Sequence, residues 1–210
     1  MTAQVRIVSC GDDALRLETA VIADRHALAA SLKQDANWLE VVIGRESVTV
    51  QFDPVRLLPA AAEQHLSQQI VTSQAKPFAL DRNEVTLTLL TDPASAPDLH
   101  ASATRNGLDT DSFLEVILAS ELSVDMLGFA PGFAYVAGVD PTLEGSRLEN
   151  PRTHVPAGSV GFISGFLGIY ALEGPGGWPI IGRIAESLFD LSSEQPFVLT
   201  AGSSIRLVRG

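Results

Sequence analysis

The chain has 210 residues, with 14 Lys and Arg against 25 Asp and Glu and a net charge of −11 at pH 7. So acidic a surface repels duplex nucleic acid and anionic membranes, which excludes both as broad partners. Apolar residues make up 46% of the chain and the mean hydropathy is +0.21, enough for a sizeable core and too much for a disordered chain.

The N-terminal MTAQVRIVSCGDD lacks the basic-then-apolar pattern of a signal peptide, and no segment reads as a membrane span, so a soluble cytoplasmic protein is expected. The single cysteine, Cys10, has no partner for an internal disulfide. Val5–Val8 and Ala14–Leu17 are short apolar runs around a Gly11-Asp12-Asp13 turn. Asp24 is placed to N-cap a helix in which Leu28 and Leu32 share a face. Leu39–Ile43 leads into a strand with Val48, Val50 and Phe52 on one side, and Pro59 opens a second helix that turns Ala62, Leu66 and Ile70 inward. This β-β-α-β-β-α order fits a small two-layer α+β sandwich of the ferredoxin-like kind.

Only Gly11, Gly44 and Gly107 fall in residues 1–127, while the other 14 glycines crowd the last 83 positions. Charge divides too: residues 1–83 carry −2 and residues 84–210 carry −9. Two domains follow, 1–75 and 85–210, joined by a linker over 76–84. In the second, Val85–Leu90 reads as a strand and Asp98–Asn106 as a helix stopped by Gly107. Thr110 can cap a helix with Phe113, Val116, Ile117 and Ser120 along one stripe. From residue 128 onward, apolar pieces alternate with Gly/Pro turns, as in an all-β barrel or sandwich.

Self-sufficient chemistry is hard to find. The four histidines lie at least 35 residues apart, which offers no metal-ligand spacing, so no metal is expected. No phosphate-loop pattern occurs, and no lysine follows Lys76, so an anion bound by the second domain needs arginine or backbone N–H groups. Ala157-Gly158-Ser159-Val160-Gly161 is one residue short of a nucleophile elbow and lacks its strand-turn-helix setting. Ser159 is better suited to orienting a carbonyl together with its neighbouring N–H groups. His154 stands beside Arg152 in a Pro-bounded segment and joins Arg152, Ser159 and Arg183 as a candidate for catalysis. Aromatic and glycine clusters (Phe129, Pro131, Gly132, Phe133; Gly177, Trp178) read either as barrel core and turns or as the wall of an apolar site anchored by Arg152, Ser159 and Arg183.

Four ordered motifs carry a resemblance. They are Leu127-Gly128-Phe129-Ala130-Pro131-Gly132-Phe133-Ala134-Tyr135; Pro151-Arg152 with Val155-Pro156-Ala157-Gly158-Ser159-Val160-Gly161; Gly168-Ile169-Tyr170; and Pro175-Gly176-Gly177-Trp178 with Ile181-Gly182-Arg183. Together they resemble the 5-oxoprolinase B-subunit family, which includes the Kip kinase inhibitor and the allophanate hydrolase subunit 1 domain. The resemblance implies a cyclophilin-like β-barrel behind the small N-terminal domain, without prolyl isomerase activity. It implies one component of an ATP-dependent amidohydrolase that opens 5-oxoproline to glutamate. Its site would be shared with a larger subunit (the 5-oxoprolinase C-subunit, allophanate hydrolase subunit 2-like), and the enzyme forms together with the 5-oxoprolinase A-subunit. ATP then enters through the complex, with none bound by this chain alone. Phe129, Pro131, Gly132, Phe133, Arg152, Pro156, Gly158, Ser159, Tyr170, Gly177, Trp178 and Arg183 would line the substrate site. The family also implies two alternatives, a binding protein that inhibits a sensor histidine kinase and a paralogue acting on another small substrate. This chain departs from the pattern where Phe166-Leu167-Gly168 replaces Gln-Thr-Gly, and where only Pro97-Asp98 remains of a Gly-Pro-Asp.

Overall fold

A computed structural model describes residues 6–18, 22–74 and 84–210, and the chain divides into two units, Met1–Asp81 and Arg82–Gly210. The expected linker lies outside the described residues except for Glu84, which opens a strand.

In the first unit, period-two alternation builds β1 (Arg6–Ser9), β2 (Ala14–Glu18), β3 (Glu40–Gly44) and β4 (Ser47–Gln51) into an antiparallel sheet of order β1-β2-β4-β3. Leu15, Leu17, Val48 and Val50 bury one face. Against it pack α1 (Ile22–Leu32), through Leu28 and Leu32, and α2 (Pro59–Gln74), through Ala62, Leu66 and Ile70. The first helix is already running at Ile22, so Asp24 falls inside its first turn and is not the cap that the sequence suggests.

A polar network ties the loop after α1 to α2. Trp38, edge-on to Phe52, donates its indole N–H to Gln69 at 2.8 Å, and Gln69 donates to Asp35. Asp35 also accepts from the Asn37 backbone at 2.8 Å and pairs with His65 Nε2 at 2.7 Å. Burial pushes the Asp35 carboxyl up, but the hydrogen bonds from Asn37 and His65 and the His65 charge outweigh it and hold the group below its ordinary value. A depressed folded-state value means that Asp35 stabilises the unit at neutral pH and that this contribution is lost as pH falls through the carboxylate range. Asp35→Asn should therefore lower the urea midpoint at pH 7 and flatten its fall in acid, read from Trp38 fluorescence in a Trp178→Phe background.

The second unit is a barrel with two helices against it. Its strands are β5 (Glu84–Leu90), β6 (Leu122–Leu127), β7 (Ala134–Ala137), β9 (Ser159–Ile163), β10 (Phe166–Ile169), β12 (Ile180–Ile184) and β13 (Ser204–Arg209). They close in the order β10-β7-β6-β13-β5-β12-β9, and β9 pairs with β10. Every pairing is antiparallel except β13 with β5. The barrel begins with β5 at residue 84, one residue before the strand that the sequence suggests over Val85–Leu90. A separate two-stranded ribbon joins β8 (Arg152–Val155) to β11 (Gly174–Gly176). The longest stretch without Asp, Glu, Lys or Arg, residues 153–172, is cut by turns into the end of β8, β9 and β10. No helix among the described residues is long and apolar enough to cross a membrane.

The helices α3 (Leu99–Arg105) and α4 (Thr110–Leu118) share the barrel's apolar core through Leu99, Ala103, Phe113, Leu114 and Ile117. Phe113 meets Phe162 edge-on at 5.4 Å. Gly107 follows the end of α3 in the left-handed conformation (φ +68), as the sequence suggests. The cap of α4, however, is Asp109, whose carboxylate accepts from the Ser112 backbone at 2.7 Å, and Thr110 is the first helical residue. Asp109→Ala should lower the denaturant midpoint of the second unit, while Thr110→Ala leaves it near the parent value.

Candidate functional site

Side chains alternate between the two faces of the barrel wall. Val160, Phe162, Leu167, Ile169, Ala134 and Val136 belong to the interior core. Their neighbours in sequence therefore face outward, and the register aligns Tyr135, Gly168, Gly161 and Ile180 as one cross-strand row on the outer face. Two adjacent glycines in that row leave the wall bare of side chains, and aromatic rings occupy the space. A Cβ at Gly168 would lie 2.7 Å from Phe133 Cζ and 2.9 Å from Trp178 Cε3, and one at Gly161 would lie 2.8 Å from Trp178 Cβ.

The result is an aromatic layer laid on the outside of the barrel. Phe133 is at its centre, edge-on to Phe129 (5.3 Å), Tyr135 (4.9 Å), Tyr170 (4.8 Å) and Trp178 (6.2 Å). Phe133, Tyr170 and Trp178 are buried, whereas Phe129 is 63% exposed and held at φ +70, a conformation costly for any residue but glycine. Pro131 is exposed beside it, and Gly132 backs onto Phe197.

The β8–β11 ribbon runs over this layer through Val155, which is buried with Phe133, Tyr170 and Ile180. Gly176 pairs with Arg152 in the ribbon, and a Cβ at Gly176 would run into the Tyr170 hydroxyl. Arg152 is thereby placed beside Tyr170. Its Nη2 donates to Asp98 at 2.8 Å, while its Nη1 is buried with no partner among the described residues. Asp98 makes no cap bond to α3. Its other oxygen instead accepts from the Ile180 backbone at 2.6 Å, and its own N–H donates to the Ile180 carbonyl at 2.9 Å. Desolvation raises the Tyr170 phenol above its ordinary value, with Tyr135 acting in the same sense and Arg147 and Arg152 opposing, so the hydroxyl stays protonated and able to donate.

The remaining candidates fall nearby or apart. Ser159 is buried on the outer face opposite Arg183, which a register shift between Ile180 and Gly182 returns to that side. The Gly158 N–H donates to the Tyr170 carbonyl and the Ser159 N–H to the Pro156 carbonyl. Both are therefore engaged within the chain and do not form the carbonyl-orienting pair that the sequence suggests. Arg183 is exposed and donates Nε to the Ala157 carbonyl at 3.0 Å. Gly177 sits against Pro151 and accepts from the Leu148 backbone. Pro156 and His154 are exposed, with His154 4.0 Å from Glu173 and no catalytic partner beside it among the described residues. Neither Asp98 nor Arg147 stands out from sequence. The retained Pro97-Asp98 is the available signal for the first, and nothing marks the second.

Gly168→Ala should force the Trp178 and Phe133 rings apart and cost about 1–3 kcal/mol, as overpacking of a close contact does. Near-UV circular dichroism and the urea midpoint would both report it.

A family model for the carboxyltransferase domain, subdomains C and D, matches residues 5–199. The chain is 33% identical to the 5-oxoprolinase B-subunit of Escherichia coli O157:H7 over 181 residues, which cover 86% of this chain and 82% of that one. It is 27% identical to the 5-oxoprolinase B-subunit of Bacillus subtilis (strain 168), covering 100% of this chain and 94% of that one. Among solved structures, TTHA0988 superposes with a TM-score of 0.80 at 28% identity over 99% of this chain, which spans only 40% of that protein. K. lactis urea amidolyase superposes with a TM-score of 0.72 at 20% identity, covering 98% of this chain and 15% of that protein, a likeness of fold alone.

Proposed function

The chain belongs to the family of carboxyltransferase domains, subdomains C and D, and within it stands beside the B-subunit proteins of 5-oxoprolinase; from this we propose that it is one component of an ATP-dependent amidohydrolase that opens a cyclic amide, 5-oxoproline, at a site shared with a larger partner. The same kinship supports a cyclophilin-like reading of the barrel. The sheet order of the first unit supports a ferredoxin-like one, since β2-α1-β3-β4-α2 with β1 at the edge is that topology circularly permuted.

The observation that carries the functional reading is the aromatic layer. It joins three of the four motifs through Phe133, Tyr170 and Trp178 and brings Arg152 to its edge. A buried apolar floor with one fixed guanidinium binds and orients a small acid by a charge-assisted hydrogen bond. It does not by itself break an amide bond. Ser159 is buried, with no histidine beside it among the described residues, so nucleophile and general base are assigned to the partner. The chain has no lysine after Lys76 and no phosphate loop, a donor set that does not fit a triphosphate, so ATP too is assigned to the companion subunits. The exposed Phe129 and Pro131 at the edge of the layer are the surface that such a companion would cover.

Co-expression with the companion subunits and measurement of ATP-dependent 5-oxoproline hydrolysis tests this. Arg152→Ala should reduce kcat/KM by roughly ten- to a hundredfold, the loss of a charged hydrogen bond. Equal rates for the variant and the parent would remove Arg152 from the site, and no hydrolysis by the assembled complex would overturn the reading. A second reading, an inhibitor docking on a sensor histidine kinase, draws on the same exposed Phe129. It predicts that this chain alone lowers kinase autophosphorylation and that Phe129→Ala relieves the effect.

A further inference from the structure

Two donors on the ribbon side of the aromatic layer, whose residues interact electrostatically, have no acceptor among the described residues. Arg152 Nη1 is buried and unpartnered, and the Tyr170 hydroxyl, on a side chain that is 3% exposed, makes no hydrogen bond among the described residues. Gly176 pairs with Arg152 in the ribbon, and its missing side chain leaves room for the Tyr170 hydroxyl there. A buried donor left unmatched is costly, so Arg152 Nη1 marks a place built for an acceptor, and the Tyr170 hydroxyl is a second donor able to serve it.

We propose that Arg152 and Tyr170 form a carboxylate-binding subsite and that Asp98 is the residue that positions Arg152 for it. This rests on the reading of the protein as part of a small-acid amidohydrolase, and it adds which group of the substrate is held, and by what. Asp98 holds one edge of the guanidinium at 2.8 Å and is itself pinned by two backbone bonds to Ile180, so Nη1 is presented in a fixed direction. The local charge selects the ligand. Asp98 neutralises one of the two cations near Tyr170, Arg152 and Arg147, and the single positive charge left over suits a monoanionic carboxylate better than a doubly charged phosphate. Arg183 is a poorer choice, because its Nε already serves the Ala157 carbonyl and the side chain is exposed.

The test is calorimetric binding to the assembled complex without nucleotide, using 5-oxoproline and its uncharged carboxamide as probes. The parent complex should bind the carboxylate at least about tenfold more tightly than the carboxamide, the value of one charged hydrogen bond. Tyr170→Phe, which deletes a single oxygen, and Arg152→Gln should each bring the ratio towards one. Asp98→Asn keeps the acceptor for the Ile180 N–H but loses the charge facing Arg152. The loss of the fixed Nη1 direction should outweigh the positive charge gained, so carboxylate binding weakens while carboxamide binding stays unchanged, a selectivity that a folding defect would not produce. An unchanged ratio in Tyr170→Phe, equal affinity of the parent for both probes, or binding of neither overturns the subsite. Hydrolysis of 5-oxoproline with the ratio unmoved in Tyr170→Phe would sink the subsite and spare the activity. A Tyr170-dependent carboxylate preference without hydrolysis would do the reverse.

Discussion

The contact between the Gly168–Gly161 pair and the rings of Phe133 and Trp178 is the constraint from which the second unit takes its character. A small closed barrel ordinarily has one apolar surface, its interior, and a wet exterior. Here two neighbouring strands carry no side chain at a paired outward position, so large rings lie against the backbone. That stretch of wall is buried on both sides, by Val160, Phe162, Leu167 and Ile169 within and by the aromatic layer without. Any side chain at either glycine would lift the layer, and with it the ribbon that carries Arg152.

This double burial explains what the residues do and do not reveal on their own. In the first unit the pattern is readable because each strand has one wet face: Val48, Val50 and Phe52 alternate with Ser47, Thr49 and Gln51, and the sheet follows. In β9 and β10 both faces are dry, so Ser159–Ile163 and Phe166–Ile169 read as apolar pieces between glycines with no period to assign them inward or outward. β6 escapes a reading by pattern because Asp125 is buried in it beside Val124, against the polar-out expectation. The aromatic and glycine clusters are visible from composition. Which ring touches which glycine depends on register between strands, and that is a property of the closed barrel.

The site shows the same division. Arg152, Tyr170 and Trp178 stand out by motif, and the fold brings them to one layer. The sequence suggests N–H groups around Ser159 to orient a carbonyl, yet those of Gly158 and Ser159 already donate to the Tyr170 and Pro156 carbonyls. Asp98 stays hidden because its importance lies in a partner 54 residues away, across α3, α4 and the strands between them, which no local pattern encodes. The site's geometry combines a rigid donor, a dry floor and an exposed rim.

The placement of β13 between β5 and β6 has a consequence during synthesis. Six of the seven staves are made before residues 204–209 leave the ribosome, so until then β5 and β6 each keep an open edge and the interior stays accessible to water. Nascent chains of this protein should therefore be substrates for holding chaperones up to nearly the last codons of the barrel, and any truncation short of Ser204 leaves a sheet that cannot shut.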